Sequence, residues 1–338
     1  MADATVVVEP EPCLETPDGA LRMRTCIWHL RTGITRSREF ERKHLACFAA
    51  NCGLKCGHGC LYCSSGAVLR THPAFRQLGE NPFGHGYCIV DPTTPERVAR
   101  DAARIRKRGL IQLCTVTDAW APEAKRHNIG RRCLDAILSQ PGWSVRILTK
   151  NATVVEDFDL IEQYRDRVLV GLSLTATPDE SAVNKVLEPN ASDIQERMLA
   201  MIEAAARGLR VYGMLCPLLP GVADSPEQID QLVRLVAECR AEEVFVEAVN
   251  PRGPGLKHCQ EALELWGYTR EAQAISKIRQ RQGWSQYCLD LIRNVQASVR
   301  RHFDIEKLRF LLYPTHLLPE HEAEIRKDDE GVVWLGKG

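Results

Sequence analysis

The chain has 338 residues, 44% of them hydrophobic, enough for one large α/β domain or two ordinary ones. Lys plus Arg equals Asp plus Glu at 44 each, so no global basic field announces nucleic acid. No apolar run approaches the ~18 residues of a membrane span, and the acidic opening MADATVVVEPEPCLETPDGA lacks the basic and apolar regions of an export signal. It reads as a partly disordered tail, and the cytoplasm is the expected compartment.

The first predicted strand is HLACFAA (44–50), followed by a cysteine-rich loop. TPERVARDAARIRKRG (94–109) predicts a helix with Thr94 as cap, Pro95 at the first position and Gly109 as the stop. LIQLCTVTD (110–118) is a strand, APEAKRHNIGRRCLDAILSQPG (121–142) one helix, SVRILTK (144–150) a strand and DFDLIEQYRDR (157–167) a short helix. VLVGLSLTA (168–176) is a continuous apolar strand. SDIQERMLAMIEAAARG (192–208) carries an expected capping box of Ser192 with Gln195. LRVYGMLCPL (209–218) and EEVFVEAVN (242–250) are strands. They flank SPEQIDQLVRLVAECR (225–240), where Ser225 caps, Pro226 opens and Gln228 closes the box.

Six apolar strands, each with a helix after it, mean a parallel sheet covered by helices, as an open doubly wound sheet or a partial barrel. Either way the βα loops gather at the C-terminal ends of the strands, where the cysteine loop also lies. Residues 270–303 predict one long helix kinked at Gly283. The expected layout is an extension over 1–40, a core over 41–255, and a C-terminal helical extension and tail over 256–338.

The loop CGLKCGHGCLYCSS (52–65) holds Cys52, Cys56, Cys60 and Cys63. Cys133, Cys239 and Cys288 fall on apolar helix faces and read as small buried hydrophobes. A structural zinc site needs two arms that converge, and no second arm is present here. Cys56, Cys60 and Cys63 instead suit three corners of a [4Fe–4S] cluster, leaving one iron without a protein ligand. A zinc-stabilised binding protein and an electron-transfer iron–sulfur protein remain as alternatives.

The C-x3-C-x2-C spacing with Tyr62 before the last cysteine, after the first strand of an α/β chain, resembles the radical SAM superfamily. The pieces GHGCLYC, CTVTDAWAPE, VRILTKN, VGLSLTA, LEPNASDIQERMLAMIEAAARGLRVYGMLCPLLPG and FDIEKLRFLLYP are similar to its spore photoproduct lyase-like branch. The resemblance implies a partial (β/α)6 TIM-type barrel. It also implies a [4Fe–4S] cluster on Cys56, Cys60 and Cys63, with S-adenosylmethionine (SAM) chelating the open iron and cleaved reductively to start radical chemistry.

By the same resemblance Tyr62, Thr117, Asp118, Lys150 and Ser173 contact SAM, Tyr62 through its backbone. Their chemistry agrees: Lys150 suits the carboxylate, Asp118 the amino group or ribose, and Ser173 the ribose. A flavodoxin or ferredoxin is the expected reductant. The family's hydrogen-donating cysteine maps to Cys114, but three residues separate it from Asp118 where the family has two, and one step along a strand changes face. Cys88 is expected in a loop, and Cys216 at the mouth. The substrate is either a DNA lesion or a small molecule or peptide. For DNA stands a basic stretch, with nine Lys or Arg against four acids over 270–309.

Overall fold

A computed structural model describes residues 23–336, so the acidic opening lies outside the described residues. The chain divides into two compact units, Met1–Val170 with Glu188–Ser192, and Gly171–Leu187 with Asp193–Gly338. Each mixes helices with parallel strands.

The first unit contains β1 (Arg24–Ile27), β2 (Thr35–Arg36), β3 (Phe48–Ala50), β4 (Gly53–Lys55), β5 (Tyr87–Val90), β6 (Leu110–Leu113) and β7 (Ser144–Thr149). β3, β6 and β7 are the first three expected strands, and they pair in parallel. Ala50 lies opposite Leu113, and Leu113 opposite Ile147. Their C-terminal ends therefore stand side by side, and the segments after Ala50, Leu113 and Thr149 leave from one edge. β2 is antiparallel to β3.

A separate small sheet, unforeseen in the sequence, has the order β1-β5-β4. Its apolar face packs Cys26, Trp28, Leu54, Phe75, Tyr87 and Ile89 together. Cys88 is not in a loop: it is buried inside β5. Four consecutive buried residues, Tyr87–Val90, are too short a run to stand out as a strand.

β8 (Val168–Ser173) carries the chain into the second unit, which adds β9 (Arg210–Leu218), β10 (Val244–Ala248), β11 (Leu308–Leu312) and β12 (Val332–Trp334). β9 to β12 are parallel neighbours, with Val244 opposite both Gly213 and Leu308, and Phe310 opposite Val332. The segment after 255 thus supplies two strands as well as the helices Gly255–Leu265, Thr269–Ile278, Arg281–His302 and Pro319–Ile325.

Local signals shift several expected boundaries. The helix Thr94–Arg104 has Thr93 at its N-cap position, without a side-chain cap bond, and stops at Ile105, before Gly109. The 121–142 helix is two, Pro122–Arg126 and Ile129–Leu138, broken where Asn128 takes φ +51. Asn tolerates that left-handed conformation better than most residues. The expected box at Ser192 sits one residue later, on Asp193 with Glu196, whereas Ser225, Pro226 and Gln228 serve as expected. The 270–303 helix is interrupted after Ile278. At Gly283 a Cβ would stand 2.1 Å from the Lys277 carbonyl oxygen, so this close approach needs glycine. Among the described residues no helix is long and apolar enough to cross a membrane.

Candidate functional site

Cys56, Cys60 and Cys63 line one pocket in the first unit, together with Phe75, His85 and Val116. None is in a disulfide, and Cys63 is exposed. The loop turns tightly between the last two, the Cys63 N–H donating to the Cys60 carbonyl at 3.2 Å.

Buried polar groups from three distant segments hold this loop. From the loop after β6, Asp118 accepts at both carboxylate oxygens. His58 Nε2 lies 2.8 Å from Oδ2, the Lys150 N–H donates to Oδ2 at 2.9 Å, and the Trp120 N–H donates to Oδ1 at 2.8 Å. The Thr149 hydroxyl is 2.9 Å from both oxygens. His58 Nδ1 faces the Asn190 carbonyl at 3.2 Å. With an acceptor at each ring nitrogen, His58 satisfies both only as an imidazolium. Burial pushes the His58 pKa down, but the Asp118 charge and hydrogen bond outweigh it and leave it raised. Burial likewise pushes the Asp118 carboxyl up, and His58 with the backbone donors outweighs it, leaving it lowered.

From the short helix Pro122–Arg126, Glu123 Oε1 accepts the Gly57 N–H at 2.9 Å. A Cβ on Gly57 would stand 2.4 Å from Glu123 Oε2, so the approach needs glycine. Oε2 is buried without a hydrogen-bond partner. Burial accordingly pushes the Glu123 carboxyl up to about 7. From the third segment, Asn190 Nδ2 donates to the Gly57 carbonyl at 2.9 Å and its N–H to the His58 carbonyl at 3.1 Å. Beside it, Glu188 Oε1 accepts from Lys150 Nζ at 3.0 Å and from the Tyr62 hydroxyl.

The fourth cysteine of the loop, Cys52, meets Cys114, the residue just after β6. Cys114 Sγ lies 3.5 Å from Cys52 Sγ, and both are buried. Cys52 Sγ is also 3.5 Å from the Thr117 hydroxyl. β6 ends at Leu113 and Cys114 takes φ +66, so strand alternation does not decide where its side chain points. The hydrogen bond from Cys114, then burial, pushes the Cys52 thiol well up. Asn51, next to Cys52, ties the adjoining loop: its Oδ1 accepts from the N–H groups of Thr115 and Val116 at 2.7 and 3.1 Å.

Of the expected site residues, the structure thus gathers Cys56, Cys60, Cys63, Tyr62, Cys114, Thr117, Asp118 and Lys150 in the first unit. Ser173 belongs to the second. There it is buried, and its carbonyl accepts from Arg197 Nη1 at 2.9 Å. Cys216, also in the second unit, donates to Glu247 Oε2 at 3.4 Å. His58, Glu123, Glu188 and Asn190 went unassigned in the sequence. The signal for His58 was its place between two cysteines; nothing local marked the others.

The donor set suits a metal cluster. Burial, then the Glu123 carboxylate and the Cys60 and Cys63 sulfurs, pushes the Cys56 thiol well up. A thiolate so placed calls for bound cations as compensation. Among the described residues no three His, Cys, Asp or Glu side chains close on a single metal-ion position; cluster thiolates each take a separate iron.

In the second unit, four members of the basic stretch are paired within the chain. Arg293 pairs with Glu324 at 2.7 Å, Arg300 with Asp328 at 2.8 Å, Arg301 with Asp230 at 2.6 Å and Arg309 with Glu243 at 3.3 Å.

Residues 51–236 match the family described as the radical SAM superfamily. An uncharacterized protein of Acidianus two-tailed virus is 22% identical over 222 residues, 64% of this chain and 71% of its own. An uncharacterized protein of Mycobacterium tuberculosis strain H37Rv is 27% identical over 201 residues, covering 59% of this chain. The match spans just 57% of that mycobacterial protein's length. Two solved spore photoproduct lyase variants share the fold. A cysteine-to-serine variant has a TM-score of 0.53 at 13% identity, and a tyrosine-to-phenylalanine variant 0.52 at 14%. Each match covers 82% of this chain and 79% of that structure.

Proposed function

Because the chain belongs to the radical SAM superfamily, we propose that it holds a [4Fe–4S] cluster on Cys56, Cys60 and Cys63 and binds SAM at the iron they leave open. The proposed scaffold is a partial (β/α)6 barrel with a C-terminal extension. The observation that carries this reading is a pocket lined by three cysteines in x3-x2 spacing, none of them in a disulfide. When bound, the cluster supplies the electron that cleaves SAM reductively and starts radical chemistry on a substrate.

The chain's own groups have separable tasks in this reading. Lys150 pairs with the SAM carboxylate, and the Thr117 hydroxyl bonds its polar edge, with Tyr62 contributing backbone. Asp118 already accepts from His58, Thr149, Lys150 and Trp120. Its first task is therefore to hold the cluster loop, and SAM's amino group meets whatever acceptor capacity is left. Cys114 would give its thiol hydrogen atom to the product radical, becoming a thiyl radical that one electron from the reductant and a proton return to the thiol. A neutral thiol does this and a thiolate cannot; the neighbouring Cys52, buried and pushed up, stays protonated beside it. A flavodoxin or ferredoxin is the proposed reductant.

For the substrate we favour a small molecule or peptide over a DNA lesion. DNA affinity comes largely from phosphate contacts by Lys and Arg, and Arg293, Arg300, Arg301 and Arg309 are engaged by acids of the chain itself.

Anaerobic reconstitution tests the reading. It predicts a brown protein with about four iron per chain that releases 5′-deoxyadenosine on reduction with SAM. A colourless protein with one zinc, or a brown one that never cleaves SAM with or without candidate substrates, would overturn it.

A further inference from the structure

Glu188 is a carboxylate with no side-chain exposure. Moving such a charge out of water is costly unless partners compensate. Its partners are specific. Lys150 Nζ, at the end of β7, donates to Oε1 at 3.0 Å, and the Tyr62 hydroxyl donates to the same oxygen. Lys150 Nζ also stands 5.6 Å from the centre of the Tyr62 ring. One buried carboxylate thus fastens the cation that ends a strand to the aromatic residue lying between Cys60 and Cys63.

A lysine at a strand end ordinarily waves in solvent and loses rotamer freedom when it grips a ligand. Lys150 is held in advance yet keeps 14% of its side chain exposed. An ammonium has three donors, so a bond to Glu188 leaves donors for a second acceptor.

We propose that Glu188 is a positioning residue of the SAM site. It sets the Lys150 ammonium beside Tyr62, where it bridges two carboxylates, that of Glu188 and that of the amino-acid part of SAM. This rests on the proposed function and adds a residue to it. Preorganisation of this kind raises affinity by removing ordering costs rather than by adding contacts.

The test is equilibrium dialysis of labelled SAM against the anaerobically reconstituted protein, with iron measured on each sample. Glu188→Gln is expected to weaken SAM binding about tenfold with iron content unchanged, and Lys150→Met to weaken it at least as much. The double variant, which removes the buried charges as a pair, is expected to match Lys150→Met, because Glu188 acts through Lys150. Wild-type affinity in Glu188→Gln, a further loss in the double variant, or SAM binding that falls only as iron falls would overturn the inference. If Glu188→Gln does not fold, the comparison of Lys150→Met with the double variant decides. A wild-type protein that takes up iron but binds no SAM overturns the proposed function and this inference together. Wild-type binding that Lys150→Met weakens and Glu188→Gln leaves alone overturns the inference only.

Discussion

The two units bury charge differently. Among the described residues the first unit encloses five acids, Asp91, Asp118, Glu123, Asp157 and Glu188, and the second encloses none. The buried polar set of the second unit is neutral apart from Arg197, which is spent on the Ser173 carbonyl and Asn184 Oδ1. Buried charge is expensive, so its location is informative.

Two of the five acids serve the scaffold. Asp91 fastens the Leu30 N–H and Arg97, and Asp157 accepts from the Trp120 indole and Arg131. The other three, Asp118, Glu123 and Glu188, converge on residues 57–62 of the cysteine loop. The contrast between the units is therefore between a framework closed by apolar packing and one in which charge fixes a loop.

The contrast is open to direct attack. The largest effect is expected from Asp118→Asn, which leaves the buried His58 imidazolium without its counter-charge and should cost about 3 kcal/mol. Urea unfolding should show that loss, and reconstitution should show lower iron uptake; an unchanged midpoint with full iron would remove Asp118 from the loop clamp.

Glu123 comes next, and its effect depends on pH. Its folded pKa of about 7 lies above the ordinary glutamate value, so the folded state keeps a proton that the unfolded state gives up. Stability from this group is present at low pH and declines as pH rises from the unfolded value through about 7, by roughly 3 kcal/mol in all. Glu123→Gln removes that slope, so the variant should gain on wild type at about pH 8 and lose the advantage near pH 5. Parallel pH profiles for the two proteins would mean that Glu123 titrates normally.

A smaller effect tests the other side of the comparison. Ser225→Ala in the second unit removes the cap bond to the Gln228 N–H and should cost about 1 kcal/mol, while iron uptake stays at the wild-type level. The smallest is Arg300→Ala, which breaks exposed pairs with Asp328 and Glu330 and should shift stability by less than about 1 kcal/mol.

Much of the framework was legible because its signals are local. Continuous apolar runs marked β3, β6, β7, β8, β9 and β10 in the right order, and the Ser225 box marked the start of its helix to the residue. The cysteine spacing named the three candidate ligands. The clamp was not legible. Asp118 and His58 are 60 residues apart, and Glu188 and Tyr62 are 126 apart. Pairing over such distances leaves no period or motif, so nothing in the sequence singled out Glu123 or Glu188. The direction of the Cys114 side chain was not legible for another reason: its left-handed backbone removes it from the alternation that strand residues obey.

The central claim is that Cys56, Cys60 and Cys63 hold a cluster whose open iron takes SAM. Electron paramagnetic resonance of the reduced, reconstituted protein, recorded with and without SAM, tests it most directly. The account predicts a reduced-cluster signal that changes on adding SAM and vanishes when the three cysteines are replaced together by alanine. A signal indifferent to SAM, or one that survives the triple replacement, would contradict it.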